Sequence, residues 1–329
     1  MITSFRLLYY RRPQNMHNIL FTLPITDQQK ADITSQCSNA HITFMPRKDV
    51  TLEVLKEHDA VIGNVSPELI GQCDIKWMHL ESAGVERYLH LPDTITLTNS
   101  TGAYGQAIGE HILGCIFYFY KKLNLYVKQQ PLHLWKNQGK VDSIAESVTV
   151  VVGLGDIGYS VAKQLKALGS TVYGVKRRIN EPMEGIEKLY TFDDMDEILP
   201  QADIVILALP ATAATYHVFD ETRLRSLKKS CVLVNVGRGN AIDTMALMRV
   251  LDDRHFKGVA LDVCEVEPLP LNHKLWNYEN VLITPHVSGN YNMEYTYTQV
   301  VRIAVENLVH YVNDEPLDNI IDRSSGYTR

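Results

Sequence analysis

Four stretches of the chain carry residue types that could do chemistry together. A glycine-rich turn with the spacing G-x-G-x-x-G runs from Gly153 to Gly158, and Arg238, Glu267 and His286 follow it in that order. A guanidinium group can hold a carboxylate by two hydrogen bonds, and an imidazole beside a carboxylate can act as a proton donor. Together with a bound dinucleotide, these groups are what reduction of a 2-keto acid by hydride transfer requires. Each motif is weak alone, but the ordered set is specific.

The glycine turn stands in the context that dinucleotide binding needs. The apolar run 147–152 precedes it, and 157–168 has the pattern of a helix that ends at Gly169. The first glycine permits a tight turn, the second lets the backbone approach a pyrophosphate, and the third allows the helix to pack closely on the strand. A strand–turn–helix whose glycines serve only steric needs is the alternative. We predict that the dinucleotide contacts Gly153, Gly155, Asp156, Ile157 and Gly158 at the helix N-terminus.

The end of the next predicted strand, 171–175, indicates which dinucleotide is bound. NAD-binding domains place an acidic residue about 20 positions after the glycine turn, where it binds the ribose hydroxyls. This chain has Lys176, Arg177 and Arg178 there, with no acid before Glu181. Charge-assisted hydrogen bonds to a 2′-phosphate contribute about 1.5–3 kcal/mol each. The sequence therefore predicts NADP(H) as the preferred cofactor and leaves NAD(H) open, a solvated basic strand end being the alternative.

Arg238, Glu267 and His286 each follow a predicted strand of the second part of the chain, and these strands are 231–236, 258–263 and 281–284. Ligands of open α/β sheets bind at the carboxyl ends of the strands. The negative charge of Glu267 would favour a protonated His286, which could give a proton to a carbonyl oxygen. We predict that these three residues are catalytic.

The elements that must position these residues follow from the alternation of apolar runs with amphipathic segments. Strands are predicted at 18–23, 41–45, 60–63, 76–80 and 95–98, with helices at 26–36, where Thr26 is the N-cap, and at 51–57. One long helix at 104–127 leads to a second series, with strands at 147–152, 171–175, 203–209, 231–236, 258–263 and 281–284, and a helix at 291–313. Strands interleaved with helices predict an α/β fold with parallel sheets covered on both faces.

Composition and charge restrict the class of protein. The chain has 329 residues, which favours two domains, and a formal net charge of −6, which offers no attraction for nucleic acid or an anionic membrane. The five cysteines are dispersed, so we predict neither disulfides nor a metal site. The most apolar run, 112–120, is too short to cross a bilayer and is either a buried helix face or a dimer contact. Arg6 interrupts the N-terminal apolar stretch, which argues against a signal peptide, and we expect a cytoplasmic protein.

These motifs together resemble the D-isomer-specific 2-hydroxyacid dehydrogenase family, which includes glyoxylate/hydroxypyruvate reductases and phosphoglycerate dehydrogenases. The resemblance covers most of the chain from Glu81 to Gly289. Besides the glycine turn, it rests on Ser82-Ala83-Gly84-Val85, Asn99-Ser100-Thr101-Gly102, Gly109-Glu110-His111, Leu209-Pro210-Ala211-Thr212, Gly237-Arg238-Gly239, the segment from Asp262 to Pro270, and Thr284-Pro285-His286. Three departures are the basic run at 176–178, Glu86 where the family has Asp, and the segment 131–135, which falls in a loop that varies within the family.

The resemblance implies a role for each motif. Arg238 would bind the substrate carboxylate and polarise the keto group, and His286 would be the general acid/base, oriented and charged by Glu267. Backbone amides of Ser82, Ala83 and Gly84 would also bind the carboxylate. Further contacts to the cofactor would come from Leu209, Pro210, Thr215, Val236, Gly237, Asp262, Ser288 and Gly289.

The fold that the resemblance implies consists of two Rossmann/flavodoxin-like domains with parallel sheets and an active site in the interdomain cleft. The substrate-binding domain would comprise 1–99 plus 288–329, and the dinucleotide-binding Rossmann domain 100–287. A homodimer is expected, in which Trp135 either borders a neighbouring active site or has a packing role. Tyr104 either borders the substrate pocket or belongs to the core.

The function that the resemblance implies is reduction of glyoxylate, hydroxypyruvate or a bulkier 2-keto acid to the D-2-hydroxy acid by NADPH. One alternative is a dinucleotide-sensing corepressor on the same fold, whose output is partner binding. Another is an NAD-dependent family member such as a phosphoglycerate dehydrogenase. Formate and phosphite dehydrogenases also resemble this family, but the basic run at 176–178 favours reductive chemistry.

Overall fold

The computed structural model describes residues 16–179, 181–291, 293–323 and 326–328. By their contacts these residues form two units, one that runs up to Thr101 and resumes at Val300, and one from Gly102 to Gln299. The domain boundaries given above, 1–99 plus 288–329 and 100–287, stay a prediction. Residues 1–12, where the sequence argues against a signal peptide, and Asn292 in the predicted helix 291–313 lie outside the described residues.

The first unit is built on a parallel sheet with the strand order β2-β1-β3-β4-β5. Its strands are β1 (His17–Phe21), β2 (Ala40–Phe44), β3 (Ala60–Ile62), β4 (Trp77–Leu80) and β5 (Thr96–Asn99). The connecting helices are α1 (Asp27–Gln36), α2 (Leu52–Lys56) and α3 (Pro67–Ile70). Thr26 caps α1 as predicted, because its hydroxyl accepts a hydrogen bond from the Gln29 amide and the Gln29 side chain accepts one from the Thr26 amide.

The second unit begins with the helices α4 (Gly105–Tyr120) and α5 (Leu123–Gln129). The strands that follow are β6 (Val148–Val152), β7 (Thr171–Val175), β8 (Leu189–Tyr190), β9 (Ile204–Leu207), β10 (Val232–Asn235), β11 (Gly258–Leu261) and β12 (Val281–Ile283). Three more helices are α6 (Asp156–Ala167), α7 (Glu221–Ser226) and α8 (Thr244–Asp252). Helix α9 (Glu294–Val312) runs from the second unit into the first, which ends with the antiparallel strands β13 (Ile321–Asp322) and β14 (Tyr327–Thr328).

The order of the second sheet, β12-β11-β10-β9-β6-β7-β8, places the predicted ligand edge. From β6 the chain goes to β7 and β8 on one side, then returns to the other side of β6 for β9 and its successors. Reversal of strand order makes a crevice at the carboxyl ends of β6 and β9, and ligands of such sheets bind there. All residues of β9, β10 and β11 are buried, as expected for a parallel sheet covered on both faces.

The prediction of one continuous helix over 104–127 is wrong, because the helix is interrupted between α4 and α5. Lys122 adopts φ +56° at the break, and the side chains of Lys121 and Lys122 donate hydrogen bonds to the carbonyl oxygens of Asp142 and Gln138. These long-range bonds hold the chain in a conformation that an α-helix excludes. In the apolar run 112–120, Ile112, Ile116 and Phe119 are buried within the chain.

Within the described ranges, no helix has both the length and the apolar character that a membrane span needs. In the same ranges, no group of three or more His, Cys, Asp or Glu side chains is arranged to hold a metal ion.

Candidate active site

The glycine turn leaves β6 at the crevice described above. Gly153 has φ +96°, and a Cβ atom there would lie 2.5 Å from the Ala208 carbonyl oxygen. A Cβ on Gly158 would lie 1.8 Å from the carbonyl oxygen of Gly153, so the start of α6 packs on the turn at a distance that only glycine permits. A Cβ on Gly155 would meet no atom within 4 Å. The first and third glycines therefore serve packing, and the second lies open to an approaching ligand.

A cavity of about 440 Å³ adjoins the turn within the second unit. Gly155 and Asp156 line it together with Tyr159 and Lys163 of α6 and residues at the start of α4. The Lys163 ammonium lies 4.8 Å from the centre of the Tyr159 ring. A helix N-terminus and a lysine both favour a negatively charged ligand. No sequence pattern distinguishes Lys163, since lysines are common on exposed helix faces.

The basic run lies next to the glycine turn because β6 and β7 pair in parallel, with Val152 opposite Val175. The Lys176 amide donates a hydrogen bond to the Tyr190 carbonyl oxygen of β8, which fixes the start of the run. Arg177 and Arg178 are exposed. The side chains that could bind a ribose phosphate thus leave the sheet beside the turn that could bind a pyrophosphate.

The segments after β9 and β10 are in backbone contact. A Cβ on Gly237 would lie 2.4 Å from the Leu209 nitrogen and 2.5 Å from its oxygen. After Leu209, the Thr215 hydroxyl donates a 2.7 Å hydrogen bond to the Pro210 carbonyl oxygen, which closes a compact loop. The structure therefore brings together Leu209, Pro210, Thr215, Val236 and Gly237, whose contacts with the cofactor stay a prediction.

Arg238 is held at the end of β10 by local bonds. The Asn235 side chain donates a hydrogen bond to the Arg238 carbonyl oxygen and accepts one from the Gly237 amide. The guanidinium Nη1 donates to the Gly237 carbonyl oxygen at 2.9 Å. The next residue, Gly239, lies against the loop that follows β11, because a Cβ there would be 1.9 Å from the carbonyl carbon of Cys264.

Glu267 and His286 form the pair that the sequence suggested. Glu267 Oε2 lies 2.8 Å from His286 Nδ1, and Glu267 Oε1 accepts a hydrogen bond from the Cys264 amide. The Glu267 side chain is 38% exposed and that of His286 51%, so solvent reaches both. Because a carboxylate oxygen can only accept, this contact is a hydrogen bond that His286 Nδ1 donates, and Nε2 is the ring nitrogen that does not contact Glu267. His286 has φ +52°, a conformation that costs a non-glycine residue about 1–2 kcal/mol.

Asp262 holds the backbone around His286. Its buried carboxylate accepts hydrogen bonds from the Thr284 hydroxyl, the Val287 amide, and both the amide and the hydroxyl of Ser288. Burial raises the pKa of Asp262, but these hydrogen bonds outweigh burial and hold that pKa below its ordinary value of 3.8. The structure shows that Asp262 and Ser288 hold the segment around His286, and their contact with the cofactor stays a prediction.

We expect the stability of the protein to report on Asp262 as the pH falls. A carboxyl group with a lowered pKa stabilises the folded state above its unfolded pKa, and that contribution disappears as pH falls through the folded pKa. Asp262→Asn is therefore expected to cost about 1–3 kcal/mol of unfolding free energy at neutral pH. The difference in unfolding free energy between Asp262→Asn and the wild type, measured by urea titration, should shrink as the pH falls below about 4. Asp74→Asn, at an exposed position, is the control, and a pH-independent difference for Asp262→Asn would contradict the assignment.

The predicted carboxylate-binding residues Ser82, Ala83 and Gly84 lie in the first unit, after β4. The Ser82 hydroxyl donates a hydrogen bond to the Gly84 carbonyl oxygen at 2.7 Å, and the Asn99 side chain donates one to that of Ala83. The loop is thus held at the carboxyl end of the sheet by one bond within the loop and one from the last residue of β5. Tyr104 is buried, and Trp135 is fully exposed.

A parallel sheet with a glycine turn at its point of strand reversal and a histidine–glutamate pair at the same edge defines an oxidoreductase that uses a nicotinamide dinucleotide. The family model for "D-isomer specific 2-hydroxyacid dehydrogenase, NAD binding domain" matches residues 113–288. The match covers more than half of the chain, which therefore belongs to the D-isomer specific 2-hydroxyacid dehydrogenase family.

Relatives of known name agree with this membership. A glyoxylate reductase of Thermofilum pendens is 29% identical over 260 residues, which are 74% of this chain and 76% of that protein. A D-isomer specific 2-hydroxyacid dehydrogenase family protein of Aeromonas salmonicida superposes with a TM-score of 0.79 at 28% identity, covering 94% of this chain and all (100%) of that one. A D-isomer specific 2-hydroxyacid dehydrogenase of Xanthobacter autotrophicus, solved with NADPH and MES, gives 0.79 at 25% identity over 95% and 100% of the two chains.

Three predictions from the sequence are confirmed. They are the resemblance to this family, the two α/β units with parallel sheets, and the class of enzyme. The protein is an NAD(P)-dependent 2-hydroxyacid dehydrogenase with a nicotinamide dinucleotide cofactor.

Proposed function

We propose that the protein reduces a small 2-keto acid to the D-2-hydroxy acid with NADPH, the substrate being glyoxylate, hydroxypyruvate or a bulkier analogue. The observation that carries the proposal is the 2.8 Å contact between Glu267 and His286 at the sheet edge. The glyoxylate reductase of Thermofilum pendens supports the substrate class, and the NADPH complex of the Xanthobacter autotrophicus protein supports the cofactor.

Each proposed role follows from a side chain's chemistry. His286 donates a proton from Nε2 to the carbonyl oxygen, and Glu267 keeps the ring oriented through its contact with Nδ1. Arg238 binds the carboxylate of the substrate and polarises the keto group, since its planar fork matches a carboxylate. Ser82, Ala83 and Gly84 offer backbone amides to that carboxylate.

The residues at the glycine turn fit a dinucleotide. The open space at Gly155 allows the backbone amides of Gly155, Asp156 and Ile157 to reach a pyrophosphate. Leu209, Pro210, Thr215, Val236, Gly237, Asp262, Ser288 and Gly289 would line the nicotinamide side. When bound, the reduced nicotinamide supplies the hydride that the carbonyl carbon accepts.

A substrate panel tests this function. NADPH oxidation is followed with glyoxylate, hydroxypyruvate and 2-ketoisocaproate. The products of the latter two are analysed for D configuration, since glycolate, the product from glyoxylate, has no stereocentre. We expect turnover of at least one keto acid and the D configuration in every chiral product. If no 2-keto acid is turned over although NADPH binds, a dinucleotide-sensing protein of this fold is favoured instead.

Cofactor preference is predicted to depend on the basic run. Arg177→Ala removes a charged donor whose hydrogen bond to a 2′-phosphate contributes about 1.5–3 kcal/mol, so the KM for NADPH should rise about 10- to 100-fold. The KM for NADH should stay unchanged, because NADH lacks that phosphate. Arg225→Ala, in an ion-paired position on α7, serves as control. A wild-type preference for NADH would contradict the proposal.

We further propose a homodimer in which apolar side chains of the second unit are covered by a second copy. Those with large exposed fractions on α5 and the segment after it are Leu123 (45%), Val127 (60%), Leu132 (73%), Leu134 (48%) and Trp135 (102%). Exposed apolar patches of this kind mark interaction sites. Light scattering should give the mass of a dimer for the wild type and a lower average mass for the double variant Leu132→Ser/Trp135→Ser. A wild-type monomer at micromolar concentration would contradict this.

A further inference from the structure

We propose that His217 and Glu265 form a positioning pair that holds the loop carrying Glu267, so that Glu267 stays against His286. The inference rests on the roles proposed above for Glu267 and His286. His217 Nε2 lies 2.6 Å from Glu265 Oε1, and the two residues are 48 positions apart in the chain.

The carboxylate of Glu265 joins three segments of the second unit. One oxygen contacts His217 in the loop after β9, and the other accepts a 2.9 Å hydrogen bond from the amide of Thr244, the first residue of α8. Glu265 itself stands two positions before Glu267. The loop after β11 is therefore held at two residues. Glu265 contacts His217 and Thr244, and Glu267 contacts His286.

His217 is fixed well enough to act as an anchor. It has φ +49°, its amide donates a 2.8 Å hydrogen bond to the Asn240 carbonyl oxygen, and its ring stacks on Tyr216 with 3.9 Å between centroids. A non-glycine residue persists in this left-handed conformation only where its surroundings determine it. The side chains of His217 and Glu265 are 29% and 24% exposed, so their interaction is partly shielded from solvent.

Charge and packing strengthen the interaction of Glu265 with His217 and Thr244. Burial raises the pKa of Glu265, but hydrogen bonds from Thr244 and His217 outweigh burial and hold that pKa below its usual range. Glu265 is thus ionised at neutral pH and binds both donors strongly. The backbone of Gly239 lies against Cys264 and Glu265, where a Cβ would be 2.4 Å from the Glu265 nitrogen. The pair consequently stands where the segments of Arg238 and Glu267 meet.

The consequence for the reaction concerns the orientation of His286. Glu267 keeps the proton on His286 Nδ1, and a displaced loop would weaken that contact and let the neutral ring exchange between its two tautomers. Proton donation from Nε2 would then become less efficient, whereas cofactor binding at the glycine turn would not change. His217 and Glu265 act through Glu267 and touch neither reactant.

The test compares Glu265→Ala and His217→Ala with the shape-conserving Glu265→Gln. His310→Ala is the control, because His310 also lies beside a glutamate but belongs to the first unit. Turnover is measured together with the ¹⁵N NMR signals of the His286 ring, which are assigned by their loss in His286→Asn. We expect both alanine variants to lower kcat about tenfold with unchanged KM for NADPH. His286 should change from one tautomer to a mixture in both. Glu265→Gln, which keeps one of the two acceptor oxygens and loses the charge, should give a kcat between those of Glu265→Ala and the wild type, and His310→Ala should behave as wild type.

Two outcomes would overturn the proposal. One is a His286 ring with the wild-type tautomer in Glu265→Ala. The other is a loss of kcat that merely follows the folded fraction measured by circular dichroism. A wild type that turns over no 2-keto acid would contradict the proposed function instead, and the NMR signals would still decide whether the pair positions His286.

Discussion

His286→Asn is expected to lower kcat for 2-keto acid reduction by about a thousandfold, because general acid catalysis contributes about 10²- to 10⁴-fold. An amide cannot give up a proton at neutral pH, but it can still bond to Glu267. Asparagine also tolerates the left-handed backbone at this position, where φ is +52°, so the loop should keep its fold. The loss should therefore fall on kcat, with little change in the KM for NADPH.

Two further variants make this result specific. Glu267→Gln preserves a hydrogen-bond acceptor for His286 Nδ1 but removes the negative charge beside the ring. Its activity should lie between those of the wild type and of His286→Asn. His90→Asn, at an exposed histidine of the first unit, should leave turnover unchanged. A His286→Asn enzyme within tenfold of wild type would mean that another group supplies the proton.

The sequence predicts the sheets well because their signals are local. Strands β9 and β11 are uninterrupted apolar runs, and Gly153 and Gly158 are required by contacts within a few residues of the turn or with the adjacent strand. The basic run at 176–178 lies beside the turn as a direct result of parallel pairing between β6 and β7. Such neighbours can be deduced once the strand order of a dinucleotide fold is assumed.

The features that the sequence does not predict depend on long-range contacts. Lys121 and Lys122 are ordinary helix residues, and only hydrogen bonds to carbonyl groups about twenty positions away identify the break after α4. Strand β8 has two residues and exists through its pairing with β7. For the candidate site, sequence order suggested the Glu267–His286 pair, but nothing in it links His217 to Glu265.

The contact between the Arg238 and Glu267 segments makes Gly239→Ala the second variant with a large expected effect. An alanine Cβ would lie 1.9 Å from the carbonyl carbon of Cys264 and 2.1 Å from its oxygen. These are backbone atoms, so no side-chain rotation can relieve the clash, and one of the two segments must move. A displacement of about 1 Å in a catalytic group can cost about a hundredfold in rate, and we expect a loss of that size in kcat/KM.

Gly114→Ala is the matched control for this prediction. A Cβ at Gly114 in α4 would meet no atom within 4 Å, so the substitution should leave turnover intact and raise helix stability by about 0.5–1 kcal/mol. Thermal unfolding and NADPH binding of Gly239→Ala distinguish a displaced site from a failure to fold. If that variant is folded, binds NADPH and retains wild-type kcat/KM, then the spacing of Arg238 and Glu267 does not limit the reaction. Because the clash is purely steric and lies between the two segments, a folded but slow enzyme is the outcome that their contact requires.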